Sequence, residues 1–275
     1  STKGTPVGAS SLPTGARRPV GGAIPLEDGV YVERATDSLF HSALIRGDSI
    51  VLIKGPRQVG KTSLLARGLQ QARLAGSRVI VIDLQKVARV HTSSSQEFLL
   101  SLARLIVHRL ELDTRPDEYW NSEDSPNENF ERFLVRSVLR ADDRQLILAL
   151  DEVDQLFPFP WATEVFGLFR SWHNERALDP NGPWSRLTLA MACATEAHLF
   201  ITDLNQSPFN VGTRLYLEDF SATEVSGLER RLGAPLGSPS RIARFMSLVG
   251  GQPYLVQQGL HVILGGWNLD HLEKR

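Results

Sequence analysis

Apolar positions in this chain gather into short, nearly unbroken runs separated by longer amphipathic stretches. Five runs favour β structure: SIVLIK (49–54), RVIVIDL (78–84), QLILAL (145–150), RLTLAMACA (186–194) and RLYLE (214–218). A strand that is apolar at almost every position is covered on both faces, as in a parallel sheet between helical layers. The stretches 61–75, 95–111, 128–140 and 162–177 are long enough for helices. Strand, helix-long spacer and strand again is the rhythm of βαβ units. The same pattern predicts an amphipathic helix in YVERATDSLFHSALIRG (31–47), with Leu39, Phe40, Ala43 and Leu44 on its inward face. It predicts a surface loop at 113–129, where the sequence is acidic and broken by proline, and a turn-rich loop at 178–185.

Beyond about residue 219 the strand pattern stops. SATEVSGLERRLG, SPSRIARFMSLVGG and QPYLVQQGLHVIL read as three short helices punctuated by glycine and proline, and NLDHLEKR reads as the start of another. The first residues, STKGTPVGASSLPTGARRPVGG, have linker composition and no signal-peptide apolar block. A chain that opens on Ser1 inside a linker reads as a piece of something longer. The expected organisation is a linker at 1–25, a core at 26–218 that includes a lead-in segment, and a small helical module at 219–275.

Composition narrows the classes. Hydrophobic residues make up 42% of 275, enough for a sizeable core. Thirty basic and 31 acidic residues leave a net charge of −1, which gives no global reason to bind nucleic acid or an acidic membrane. No apolar run approaches the roughly 18–20 residues that span a bilayer. A single cysteine, Cys193, forbids an internal disulfide and fits a reducing, cytoplasmic setting. Its apolar surroundings predict a buried, inert thiol.

The first β run leads straight into Gly55-Pro56-Arg57-Gln58-Val59-Gly60-Lys61-Thr62, which fits G-x-x-x-x-G-K-[ST]. After a strand and before a helix, this order of residues suits a triphosphate. Glycines let the backbone bend and bring its N–H groups close to an anion. The start of the following helix adds its own unpaired N–H groups and positive dipole end. Lys61 can reach the β- and γ-phosphates, and the Thr62 hydroxyl can take one position on Mg2+, with Ser63 following it. The run LILALDEVD then places Asp151 and Glu152 at the carboxyl end of a buried strand, the edge where open α/β sheets bind ligands. Asp151 can hold Mg2+ through water, and Glu152 can activate a water for attack on the γ-phosphate. Asp154 reads as a cap on the next turn. Thr195 follows the fourth run and has two open readings, a γ-phosphate or water contact and a helix N-cap.

These residues resemble an AAA-like P-loop ATPase of the additional-strand class, near the bacterial STAND and archaeal-ATPase group. The likeness covers about 22–275 and is carried by GPRQVGKTSLL, LILALDEVD, the threonine after the fourth run, YVERATDSLF, SPFNVG and GGQPYLVQ. It implies a three-layer α/β sandwich around a five-stranded parallel sheet in the order 5-1-4-3-2, with a C-terminal helical lid. It implies that Val32, Arg34 and Pro253 flank an adenine. For function it implies a slow, Mg2+-dependent ATPase that works as an ATP/ADP switch, linked to effector and sensor domains outside this chain and assembling as a homo-oligomer with ATP. The chain departs from that pattern in two ways. No arginine follows Thr195, so no arginine finger is assignable among Arg170, Arg176 and Arg214, for which surface salt bridges are expected. The winged-helix domain expected after the lid is missing or truncated. Two other classes share this core: a DNA-handling initiator or transposition helper, which the balanced charge disfavours, and a nucleotide-binding module without turnover, which Glu152 disfavours.

Overall fold

The computed structural model describes residue 24 and residues 29–88, 93–194 and 207–273. The chain divides into two compact units. One comprises Glu33–Glu218; the other takes in residues up to Val32 together with Asp219–Arg275.

The larger unit is a parallel five-stranded sheet. Its strands are β1 (Ile50–Lys54), β2 (Arg78–Asp83), β3 (Leu146–Asp151), β4 (Leu187–Cys193) and β5 (Thr213–Tyr216). The spatial order is β2-β3-β4-β1-β5, which is the expected order with β4 between β1 and β3. Helices α1 (Ala35–Arg46) and α2 (Lys61–Leu74) belong to this unit, as do α3 (Leu84–Ala88), α4 (Ser95–Leu110), α5 (Pro126–Phe133) and α6 (Ala162–Leu178).

Because successive side chains alternate between faces, β1 to β4 each feed two cores, while β5 contributes Leu215 to one. Ile50 and Leu52 join Leu146, Leu148 and Leu150 in a core with α4, α5 and α6, rich in aromatics such as Phe98, Phe130 and Trp172. Val51 and Ile53 join Ile147, Ala149, Ala190 and Ala192 against α1 and α2. Small residues on that second face let the helices come close. At Gly68 of α2 a Cβ would lie 2.3 Å from the Phe40 ring, so the glycine makes room for α1.

Two local expectations are corrected. Leu39 is 55% exposed, whereas Phe40, Ala43 and Leu44 are buried. The inward stripe of α1 is narrower than the sequence suggests, and Leu39 lies on its rim. The supposed loop 113–129 already contains the start of α5. Ser125 accepts the Glu128 N–H while Glu128 reaches back to the Ser125 N–H, and Pro126 takes the first helical position. This capping box tolerates the proline that the loop reading took as a breaker. After Phe133 the backbone continues as a π-helix over Leu134–Leu139.

The smaller unit packs α7 (Ala222–Arg231), α8 (Pro239–Val249), α9 (Pro253–Leu264) and α10 (Leu269–Glu273). Its core includes Phe220, Val225, Leu228, Phe245, Val256 and Leu260. Val32 packs into this cluster, so the lead-in segment is split: Val32 goes with the helices and Arg34 with the sheet.

Candidate functional site

In a parallel sheet all strands end on one side, and the in-register pairs Lys54 with Cys193 and Asp83 with Asp151 mark that carboxyl edge. The loop from Gly55 to Gly60 leaves β1 there. Gly55 is required by space: a Cβ would stand 2.7 Å from the Leu217 carbonyl oxygen and 2.9 Å from Val59. Gln58 and Gly60 both have positive φ, 62° and 103°, which folds the loop back on itself. Val59 is fully buried and anchors the loop in the core. α2 then starts at Lys61, with Gly60 as its N-cap.

Lys61 is only 8% exposed, and its Nζ donates to the carbonyls of Gly55 and Pro56, both at 2.8 Å. Burial pushes its ammonium below the ordinary lysine value, against the pull of Glu152, Asp154 and Asp151. Thr62 hydrogen-bonds the Asp151 carboxylate, which also accepts the Glu152 N–H at 3.0 Å. Burial pushes Asp151 up, an effect that the bonds from Thr62 and Glu152 partly offset. Glu152 is pushed up by burial and then by the neighbouring Asp154 and Asp151, while Lys61 and the exposed Arg57 pull it down. Its backbone sits at φ 56°, a left-handed conformation unusual outside glycine and frequent at functional sites. Ser63 is buried in the first turn of α2.

The structure therefore brings together the whole 55–63 loop and helix start with Asp151 and Glu152. Arg34 joins them: its Nη2 donates to the Val59 carbonyl at 3.1 Å. Val32 and Pro253 belong to the helical unit, where Pro253 is buried as the first residue of α9 and Gln252 caps the helix by accepting the Leu255 N–H. Thr195 lies outside the described residues. Cys193 is buried and its thiol is pushed up to about 12, first by burial, which leaves it unreactive as expected.

Other residues behave differently from expectation. Asp154 accepts the Ala194 N–H at 3.1 Å and so ties the end of β4 to the end of β3. A partner 40 residues away gives no local sequence signal. Arg170 donates to the Ser207 carbonyl and to Asn210 Oδ1 (3.1 and 2.5 Å), and Arg176 donates to the Leu187 carbonyl, so both serve backbone and amide acceptors in place of the surface salt bridges expected. Arg214 is exposed on β5. Asp83, which sequence reading passed over, lies directly across from Asp151.

A hard divalent cation fits this donor set. The Thr62 hydroxyl and Asp151 carboxylate are oxygen donors already aimed at one another, and Mg2+ takes few protein oxygens and completes its shell with water and phosphate. Among the described residues no group of three or more His, Cys, Asp or Glu side chains could by itself hold a metal ion.

A family model described as an AAA-like domain matches residues 20–272. The chain belongs to the AAA-like domain family. Solved structures agree on the fold of this AAA-like domain. A Walker-type ATPase of Pyrococcus abyssi superposes with TM-score 0.60 at 18% identity, covering 89% of this chain and 71% of that one. The ADP form of the Aeropyrum pernix ORC2 protein gives TM-score 0.60 at 17% identity over 96% and 72% of the two chains. The ORC1 protein of the same organism, solved in complex with DNA, gives 0.54 at 15% identity over 90% and 66%. The architecture is thus that of P-loop ATPases. A curated relative, an uncharacterized WD repeat-containing protein of Synechocystis sp., is 25% identical over 248 residues, 87% of this chain. The AAA-like domain spans about a fifth of that protein's length, 20%. No helix among the described residues is long and apolar enough to cross a membrane.

Proposed function

We propose that the chain is an Mg2+-dependent ATP-binding and slowly hydrolysing switch module of the STAND type. The observation that carries this reading is the Thr62–Asp151 hydrogen bond beside buried Lys61, with Glu152 next in sequence. On binding, the Lys61 ammonium exchanges its two loop carbonyls for phosphate oxygens. The N–H groups of the 55–62 loop and the start of α2 surround the same oxygens. Mg2+, when bound, supplies charge neutralisation at the phosphates. Thr62 and Asp151 orient its shell. Glu152 holds a water by hydrogen bond and takes its proton as the water attacks the γ-phosphate, while the bond from the γ-phosphorus to the β-phosphate oxygen breaks and ADP leaves. A carboxylate whose pKa is raised by burial and neighbouring acids is better matched to that task.

Slow turnover is supported by the engagement of two of the three candidate finger arginines, Arg170 with residues 207–210 and Arg176 with Leu187. Val32, Arg34 and Pro253 are the proposed adenine surroundings. The WD repeat-containing relative supports a larger protein in which such a module is joined to a repeat-built sensor; to this we add a linked effector and ATP-dependent self-assembly as output. A DNA-handling role is the second reading, favoured by the ORC1 protein solved with DNA and opposed by the net charge of −1. A salt-dependent DNA shift assay separates the two.

The chemistry is tested with Glu152→Gln, which keeps shape and hydrogen bonding but removes the base. Single-turnover phosphate release should fall by about 10²–10⁴-fold while MgATP stays bound. Unchanged release in the purified variant would move the catalytic base elsewhere.

A further inference from the structure

The chain passes between its two compact units twice, across residues 32–33 and across 218–219. Arg34 is the second residue of the sheet unit after the first crossing, and Glu218 is its last residue before the second. One guanidinium links the two sides: Arg34 Nη1 donates to the Glu218 carbonyl at 3.2 Å, and Nη2 donates to the Val59 carbonyl at 3.1 Å. The contact with the phosphate loop is close. A Cβ at Gly60 would come within 3.1 Å of the same Nη2.

The base of Arg34 is rigid. Its N–H donates to Asp37 Oδ2 at 2.8 Å and its carbonyl accepts the Asp37 N–H at 2.9 Å, fixing the start of α1. α1 is held against α2 by Phe40 over Gly68. The other end of the phosphate loop is tied to the same exit segment by backbone alone. The Leu217 N–H donates to the Lys54 carbonyl at 2.7 Å, and the Leu217 carbonyl lies where a side chain at Gly55 would have to go. Both ends of the loop, Gly55 and Val59, are therefore stitched to residues 217–218. A planar fork can serve two carbonyls at once, which a lysine ammonium on a flexible stem does poorly.

We propose that Arg34 is a positioning residue that couples the phosphate loop to the exit segment 217–218. The loop geometry that accepts a triphosphate then also sets the geometry of the chain where it leaves the sheet unit. This inference rests on the nucleotide reading and adds a route from the bound phosphates to the junction at 218–219. The route runs through Val59, Arg34 and Glu218, and the base plays no part in it.

The test compares the parent chain with Arg34→Ala and Arg34→Lys. Calorimetry gives the affinity for Mg2+ with inorganic triphosphate and with ADP. Hydrogen exchange, at saturating ligand, reads the amides of 216–221. In the parent, either ligand should slow that exchange by about tenfold or more. Arg34→Ala should weaken triphosphate as well as ADP, and at saturation its 216–221 amides should exchange at the ligand-free rate. Arg34→Lys should recover part of the response, and it keeps the test valid if the alanine variant does not fold. A junction that still responds fully in either folded variant overturns the coupling. A loss confined to ADP also overturns it and leaves Arg34 with its proposed place beside the adenine alone. A parent chain that binds neither ligand removes the nucleotide reading and the coupling together.

Discussion

The two edges of the sheet handle charge in opposite ways. At the amino edge, charges are neutralised where they stand. Asp142 takes Arg144 and Arg78, Asp48 takes Arg46, and Asp143 takes Arg186. Bonds from Arg144 hold Asp142 well below the usual carboxylate range. Against the upward push of burial, Arg46 and Thr213 hold Asp48 down as well. At the carboxyl edge, Asp151, Glu152 and Asp154 crowd together around one buried ammonium, Lys61, while Asp83 across from Asp151 pairs with the exposed Lys86. There burial and like charge push Asp151 and Glu152 up, and burial pushes Lys61 down. Each shift at the carboxyl edge means that the charged form is uncomfortable in the folded chain; at the amino edge Asp48 and Asp142 shift the other way. A fold that can neutralise one edge so fully leaves the other unbalanced where a ligand of both signs, an anionic phosphate with its cation, restores the balance.

The sharpest break of this comparison is Lys61→Ala. It removes the buried ammonium that faces Asp151, Glu152 and Asp154 and that donates to both loop carbonyls. Affinity for MgATP, measured by calorimetry, should fall about a hundredfold or more, on the order of 3 kcal/mol for a charge-assisted contact. The variant should still melt cooperatively. ATP binding at the parental affinity would contradict the role given to the loop.

A weaker break comes from the opposite edge. Asp142→Ala deprives Arg78 and Arg144 of their carboxylate while Arg78 keeps the carbonyls of Val138, Asp142 and Arg144. Stability in denaturant titration should drop by about 1 kcal/mol or less, as for a partly exposed pair. Nucleotide affinity should not move. A change in affinity as large as that from Lys61→Ala would mean that the two edges are not separate in function.

Contiguity decides what was legible in the sequence. The phosphate loop and Asp151-Glu152 are runs of adjacent residues with a strand before them, so residue type and order carry the chemistry. β1, β3 and β4 were visible because double-sided burial makes them apolar almost throughout; the edge strands β2 and β5 are less covered and carry the pattern more weakly. Leu39 misled because a helical face read from four residues does not say how wide the contact with α2 is. Pro126 misled because a proline breaks a helix interior but begins one when Ser125 and Glu128 cap it. The Arg34–Val59, Arg34–Glu218 and Asp154–Ala194 bonds join residues 25, 184 and 40 positions apart, and no local pattern announces them.

The charge imbalance at the carboxyl edge is tested most directly by Asp151→Asn, followed as stability against pH with and without MgATP. A carboxyl whose folded pKa lies above its ordinary 3.8 binds its proton more tightly folded than unfolded. Its contribution is present below that ordinary value and is lost as pH rises through the folded pKa; Glu152 adds in the same sense. Asparagine keeps an acceptor for Thr62 and removes the charge. Without ligand, Asp151→Asn should match the parent near pH 4 and exceed it by about 1 kcal/mol at pH 7. The stabilisation that MgATP gives the parent should largely disappear. A variant less stable than the parent at pH 7 without ligand, or one still stabilised by MgATP to the parental extent, would contradict the account.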